Sequence, residues 1–242
     1  MGFLLGVLAS VIAAGIVYFV GWLLSPFLGS WSSYFNLIGS AHRLQRAGIH
    51  NIIPSRSDYR LLRNGETIPN YLSQVRHSLI YIGFWHAKGI EMVNIRDVFF
   101  ELLERGCSIE LVLLDRNVDD ATAAIIAQYL AISANGLKDR VEEAWRYITK
   151  LKAEVPARHA DRITVKAHSN AVYASCFIMD HQHSFAKMLV DIKIFGLGRE
   201  NGYGMELVKT GEHNNLYDRF LHSFLKISEG AVPCPLKNNS AV

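Results

Sequence analysis

The chain has 242 residues, a formal net charge of +3, and hydrophobic side chains at half of its positions. That length fits one domain with an appendage, and so small a charge gives no electrostatic case for a nucleic-acid-binding protein. Its three cysteines, Cys107, Cys176 and Cys234, are widely spaced and form no CxxC pair, which excludes a disulfide framework and suits a reducing compartment.

The first element is an apolar run. From Phe3 to Leu24 there is no charged residue, and at about 1.5 Å per residue such a helix spans a hydrocarbon core of about 30 Å. Residues 1–28 are therefore predicted to be a transmembrane anchor. A cleaved signal peptide fits less well, because only Met1 and Gly2 precede the run and no basic side chain leads it. Tyr18, Trp22 and Trp31 lie near its trailing end, where amphipathic rings favour the headgroup region. Residues 29–66 read as a juxtamembrane linker with a short helix around Ala41–Ala47. Between Gly39 and Asn64 they carry Arg43, Arg46, Arg56, Arg60 and Arg63 against the single acid Asp58. This basic excess predicts a single-pass protein with its N-terminus outside and its C-terminal domain in the cytoplasm. The same arginines suit contact with anionic lipid.

Alternating strands and helices follow. A helix is predicted over Ile68–Val75 and a strand buried on both faces over Ser78–Trp85. In Val93–Arg105 the residues Ile95, Val98, Phe99, Leu102 and Leu103 share one helical face, and Gly106 stops the helix. Ser108–Leu114 is a second apolar strand, completing a parallel strand–helix–strand unit. A helical region capped by Asp119 or Asp120 runs to about Lys152, with an interruption expected at Asn135–Gly136. Its second part aligns Leu137, Val141, Ala144, Trp145, Ile148 and Leu151 as a core stripe. Strands are predicted at Ile163–His168, Tyr173–Met179 and Met188–Phe195. Leu216, Phe220, Phe224 and Ile227 mark a closing amphipathic helix. Residues 67–229 form the predicted domain, and 230–242 a disordered tail.

This order of elements, with a helix ending LLERG, the strand SIELVLLD and a later strand ending FIMD, resembles the phospholipase D-like superfamily over Ile68–Ile227, one half-unit of that fold. The resemblance implies an α/β fold, a mixed sheet flanked by helices. The superfamily signature is His-x-Lys, four residues, then Asp, followed by a Gly-rich turn with Asn. It implies a histidine nucleophile, a lysine on the phosphate oxygens, and a site completed by two signatures, so that single-signature members act as dimers. Asp180 matches the aspartate and Asn201, in the turn Gly196–Gly202, matches the asparagine. Tyr173 stands at the histidine position and Ser175 at the lysine position.

These replacements remove the reagents. Covalent phosphoryl transfer needs a nucleophile titrating near neutrality and a cation for the developing charge. An ordinary tyrosine, with a pKa of about 10, is a poor nucleophile without a base, and serine brings no positive charge. The candidate ligand-binding residues are then Tyr173, Ser175, Arg199, Asn201 and, just after the first strand, Trp85 and His86; Lys166 is a further phosphate-binding candidate. His168, with Asp180, is the catalytic candidate of the alternative reading. His181 and His183 flank Asp180 as DHQH and read as solvated loop side chains, so no metal and no cofactor is predicted. Three function classes remain open. The favoured one is a membrane-anchored, catalytically degenerate domain that senses a phosphate-bearing ligand or scaffolds a homo-oligomer, a dimer in the simplest case. The others are a homodimeric membrane phosphodiesterase, phospholipase or nuclease, using His168, and a structural subunit with a protein partner.

Overall fold

The computed structural model describes residues 40–53, 67–84, 92–196 and 202–234. The predicted membrane anchor lies outside the described residues, and among those described no helix is long and apolar enough to cross a membrane. Residues 1–45 and 46–242 form two separate units; the account below concerns the second.

Eight strands make one mixed sheet: β1 (Ile49–Ile53), β2 (Ser78–Gly83), β3 (Ser108–Leu114), β4 (Ile163–His168), β5 (Ala174–Met179), β6 (Lys187–Ile192), β7 (Tyr203–Val208) and β8 (Val232–Pro233), in the order β1-β7-β6-β5-β2-β3-β4-β8. β2, β3 and β4 run parallel, and every other neighbouring pair is antiparallel. The helices are α1 (Ile68–Leu72), α2 (Met92–Glu104), α3 (Asp120–Tyr129), α4 (Ala134–Glu154) and α5 (Leu216–Gly230), with a 3-10 turn at Ala157–Arg162. The expected α/β architecture, a mixed sheet flanked by helices, is what the chain adopts.

The apolar content of β2 and β3 follows from burial on both faces. Leu79, Leu111, Leu113, Val165 and Phe177 point to one face, under Phe99, Leu102, Leu137, Trp145 and Ile148 from the helices. Ile80, Ile82, Val112, Cys176, Ile178 and Val190 point to the other, under Tyr217 and Phe224 of α5. α2 ends as its sequence dictates: Gly106 has φ +88°, and Cys107 N–H donates to the Leu102 carbonyl at 2.9 Å while Gly106 N–H donates to Leu103.

Several boundaries differ from expectation, each for a local reason. The break in the long helical region falls before Ser133 rather than at Asn135–Gly136. Ser133 caps α4 by accepting from Gly136 N–H at 3.0 Å, so the Asn–Gly pair becomes a first turn. α5 buries Tyr217, Phe224 and Ser228; of the predicted stripe Phe224 is buried, while Leu216, Phe220 and Ile227 are half-buried against the core. Ile49–Ile53, within the span expected to be a linker, pairs with β7. Val232–Pro233, at the start of the expected disordered tail, closes the far edge against β4.

Candidate functional site

The structure separates the residues that the signature would gather. Asp180 is buried, 3 % exposed, just past β5. Its carboxylate accepts from the backbone N–H groups of Arg76, His77 and Ser78, at 3.0, 2.7 and 2.9 Å. It therefore caps the N-terminal end of β2, and its own φ of +53° turns the chain out of β5. His168 ends β4 and is 2 % exposed. Its Nε2–H donates to the Gly83 carbonyl at 3.3 Å, and its Nδ1 accepts from Asn170 N–H at 3.2 Å. Both nitrogens are committed as a neutral imidazole, and burial pulls its pKa below the ordinary histidine value. Gly83 and Ser78 are the two ends of β2. At about 3.3 Å per residue, the points that hold His168 and Asp180 lie about 16 Å apart along that strand. Within one chain the two candidates are not brought together.

Tyr173 and Ser175 are at the His168 end, on the other face of the sheet by strand alternation. Tyr173 is 52 % exposed. Ser175 pairs with Asp191 across β5 and β6 and donates its hydroxyl to that carboxylate at 3.4 Å. Lys193 N–H donates to the Tyr173 carbonyl at 2.8 Å, and its ammonium forms an ion pair with Asp191. Tyr173, Ser175, Asp191 and Lys193 thus form a square on one face. Gly83 borders it, so close that any Cβ would come within 2.9 Å of the Ser175 Cβ. Gly204, opposite Asp191 on β7, borders the other side. Helix α3 fastens this end: the Tyr129 hydroxyl donates to the Lys193 carbonyl at 2.9 Å, and its ring meets Phe195 edge-on. Burial, then the neighbouring Tyr173 and Tyr203, push the Tyr129 phenol pKa up.

Asp191 and Lys193 were not among the sequence candidates. They carried a signal, charges alternating in an otherwise apolar strand, but only strand register shows that they face positions 173 and 175. Arg199, Asn201, Trp85 and His86 lie outside the described residues. Lys166 is committed elsewhere: its ammonium meets Glu110 at 2.8 Å and the Ser228 hydroxyl at 3.3 Å, fastening α5 to the sheet. His183 stacks on His77 and Phe185. Among the described residues no group of three or more His, Cys, Asp or Glu is placed to hold a metal ion.

No family model and no curated protein matches the sequence. Solved structures to which the chain is similar include a phospholipase D family member, Nuc, from Salmonella typhimurium, at 11 % identity and a TM-score of 0.41. That match covers 69 % of this chain and 87 % of Nuc. A phosphatidylserine synthase from Haemophilus influenzae matches at 14 % identity and a TM-score of 0.45, over 69 % of this chain and 36 % of the synthase. The chain thus spans about a third of the synthase, and neither likeness assigns a role to any residue here.

Proposed function

We propose that the chain is a phospholipase D-like domain without phosphodiesterase chemistry, held at a membrane by residues 1–28 and binding a phosphate-bearing ligand at the Tyr173–Ser175 end of its sheet. Phe3–Leu24 and the arginines behind it support the anchor and a cytoplasmic domain. The Asp180 frame supports the family reading. Homo-oligomerisation through this domain, or docking of a protein partner, would carry the signal.

One observation carries the inert reading. The described imidazole at this end of the sheet, His168, is buried with both ring nitrogens engaged, so it has no lone pair directed at a phosphorus atom. Tyr173 and Ser175 supply neither a neutral-pH nucleophile nor a cation.

The test uses the full chain in detergent. Bis(p-nitrophenyl) phosphate, phosphatidylcholine vesicles and single-stranded DNA should all survive prolonged incubation, while an added phosphate-bearing ligand still binds. Hydrolysis lost on His168→Ala would overturn the inert reading and establish the homodimeric phosphodiesterase.

A further inference from the structure

The two ends of the sheet differ in charge. At the Asp180 end, cations gather around one exposed ring. Phe185, 44 % exposed, lies between β5 and β6. The Arg76 guanidinium sits over it at 5.0 Å, and His183 stacks on it at 5.2 Å and on His77 at 4.0 Å. Arg105 donates to the Ser73 and Val75 carbonyls, which brings it beside Arg76. Lys209 N–H donates to the Ala186 carbonyl at 2.9 Å, which brings it beside Phe185. Arg76, Arg105 and Lys209 are exposed, and Glu101 borders them, 3.9 Å from Arg105. Asp180, beneath them, is buried and engaged by three backbone N–H groups. At the opposite end Asp115, Asp119 and Asp120 accompany Arg116 and Lys138, so among the described residues cations do not outnumber acids there.

The chain also enters the sheet at this end. The Gly48 carbonyl accepts from Val208 N–H at 2.8 Å, and β1 begins opposite Leu207. The segment leading from residues 1–28 therefore reaches the domain next to Lys209. An exposed phenyl ring among cations suits the headgroup layer of a bilayer: the ring enters the interface while guanidinium and ammonium groups meet lipid phosphate. The cytoplasmic leaflet is anionic and attracts such a cluster. We propose that the Asp180 end of the domain docks on an anionic lipid surface through Phe185, Arg76, Arg105 and Lys209. Tyr173, at the far end of β5 and about 20 Å away along that strand, then points away from the bilayer. The phosphate-bearing ligand is met in the aqueous phase and not as a headgroup of the membrane that holds the chain. This rests on the anchored, ligand-binding reading above and gives it an orientation.

Hydrogen exchange on the full chain in lipid nanodiscs tests this, comparing discs of phosphatidylcholine alone with discs containing phosphatidylserine. Amides of residues 181–187 and 209–213 should exchange more slowly in the anionic discs, and the protection should fade as salt is raised. Arg76→Gln with Lys209→Gln should weaken docking about 25-fold, about fivefold for each cation near an anionic surface, and return these amides towards their rates in neutral discs. Arg105 is left in place because it fastens the Ser73–Val75 turn. If the double variant does not fold, the wild-type comparison of the two lipid compositions decides alone. Equal exchange in both discs would overturn the docking surface and leave the anchored reading standing. Protection at residues 173–175 and 193–196 instead would overturn it and make the ligand a lipid headgroup. The same protection raised in neutral discs by single-stranded DNA would overturn the assignment to lipid. A chain that enters neither disc would remove the anchor, and with it the reading on which this one rests.

Discussion

Asp180 shows how one buried side chain can fasten the entrance of a strand. Its carboxylate satisfies three consecutive backbone N–H groups at the entrance to β2, donors that would otherwise be unmet as the chain enters a buried strand. Its left-handed backbone, φ +53°, also suits Asp better than most L residues. These are fold duties, and they need no partner in a reaction. Asp180→Ala should therefore destabilise the domain by about 2–4 kcal/mol, from unmet backbone donors plus the left-handed conformation. Urea unfolding of detergent-purified samples measures it; a loss below about 0.5 kcal/mol, within the ordinary surface range, would contradict this role. His168 likewise serves the fold, its two nitrogens tying the end of β4 to Gly83 and Asn170.

At the scale of elements, the site is made by strand pairing and one helix. The hairpin of β5 and β6 sets Ser175 against Asp191 and Tyr173 against Lys193, and α3 holds the following segment through Tyr129. α4 begins where Ser133 caps it, directly after Ala131 at φ +53° has turned the chain out of α3. Ser133→Ala removes that cap and should cost about 1 kcal/mol. In a domain of this size that lowers the melting temperature by about 2–4 °C. Ser133→Asp, which keeps an acceptor, should restore it. Equal melting temperatures for wild type and Ser133→Ala would show that Asn135–Gly136 does not depend on the cap.

At the scale of the whole molecule, one buried and one half-buried histidine tie stability to pH. Burial lowers the pKa of His168, and of His181 after Asp180, below the ordinary value of about 6.5. In the unfolded chain these imidazoles take up protons first as pH falls, so the unfolded state gains protons that the native state refuses. Stability should hold above about pH 6.5 and decline as the solution is acidified through the window below it. Unfolding midpoints at pH 8 and pH 5.5 test this, and His168→Gln should show a shallower decline than wild type. A midpoint that rises on acidification would refute the sign.

Much of the fold was legible because it is locally encoded. Apolar runs of strand length gave β3 and β4 at their observed bounds, and heptad-like stripes gave the buried faces of α2 and α4. Asp119 and Gly106 marked helix ends by side-chain chemistry and backbone freedom alone. The edge strands Ile49–Ile53 and Val232–Pro233, and Tyr203–Val208 beside the first of them, were not legible: they are short or mixed in polarity, and each becomes a strand by hydrogen bonding to a neighbour distant in sequence. The site divided in the same way. The resemblance to the phospholipase D-like signature, through the spacing back from Asp180, implied that Tyr173 and Ser175 stand where a nucleophile and a cation would be needed. Only the tertiary structure decided that Asp180 and His168 serve opposite ends of β2, and that Lys193 and Asp191 face Ser175. Residue types fix what a side chain can do, whereas cross-strand register, set by pairing between distant segments, fixes what it can reach.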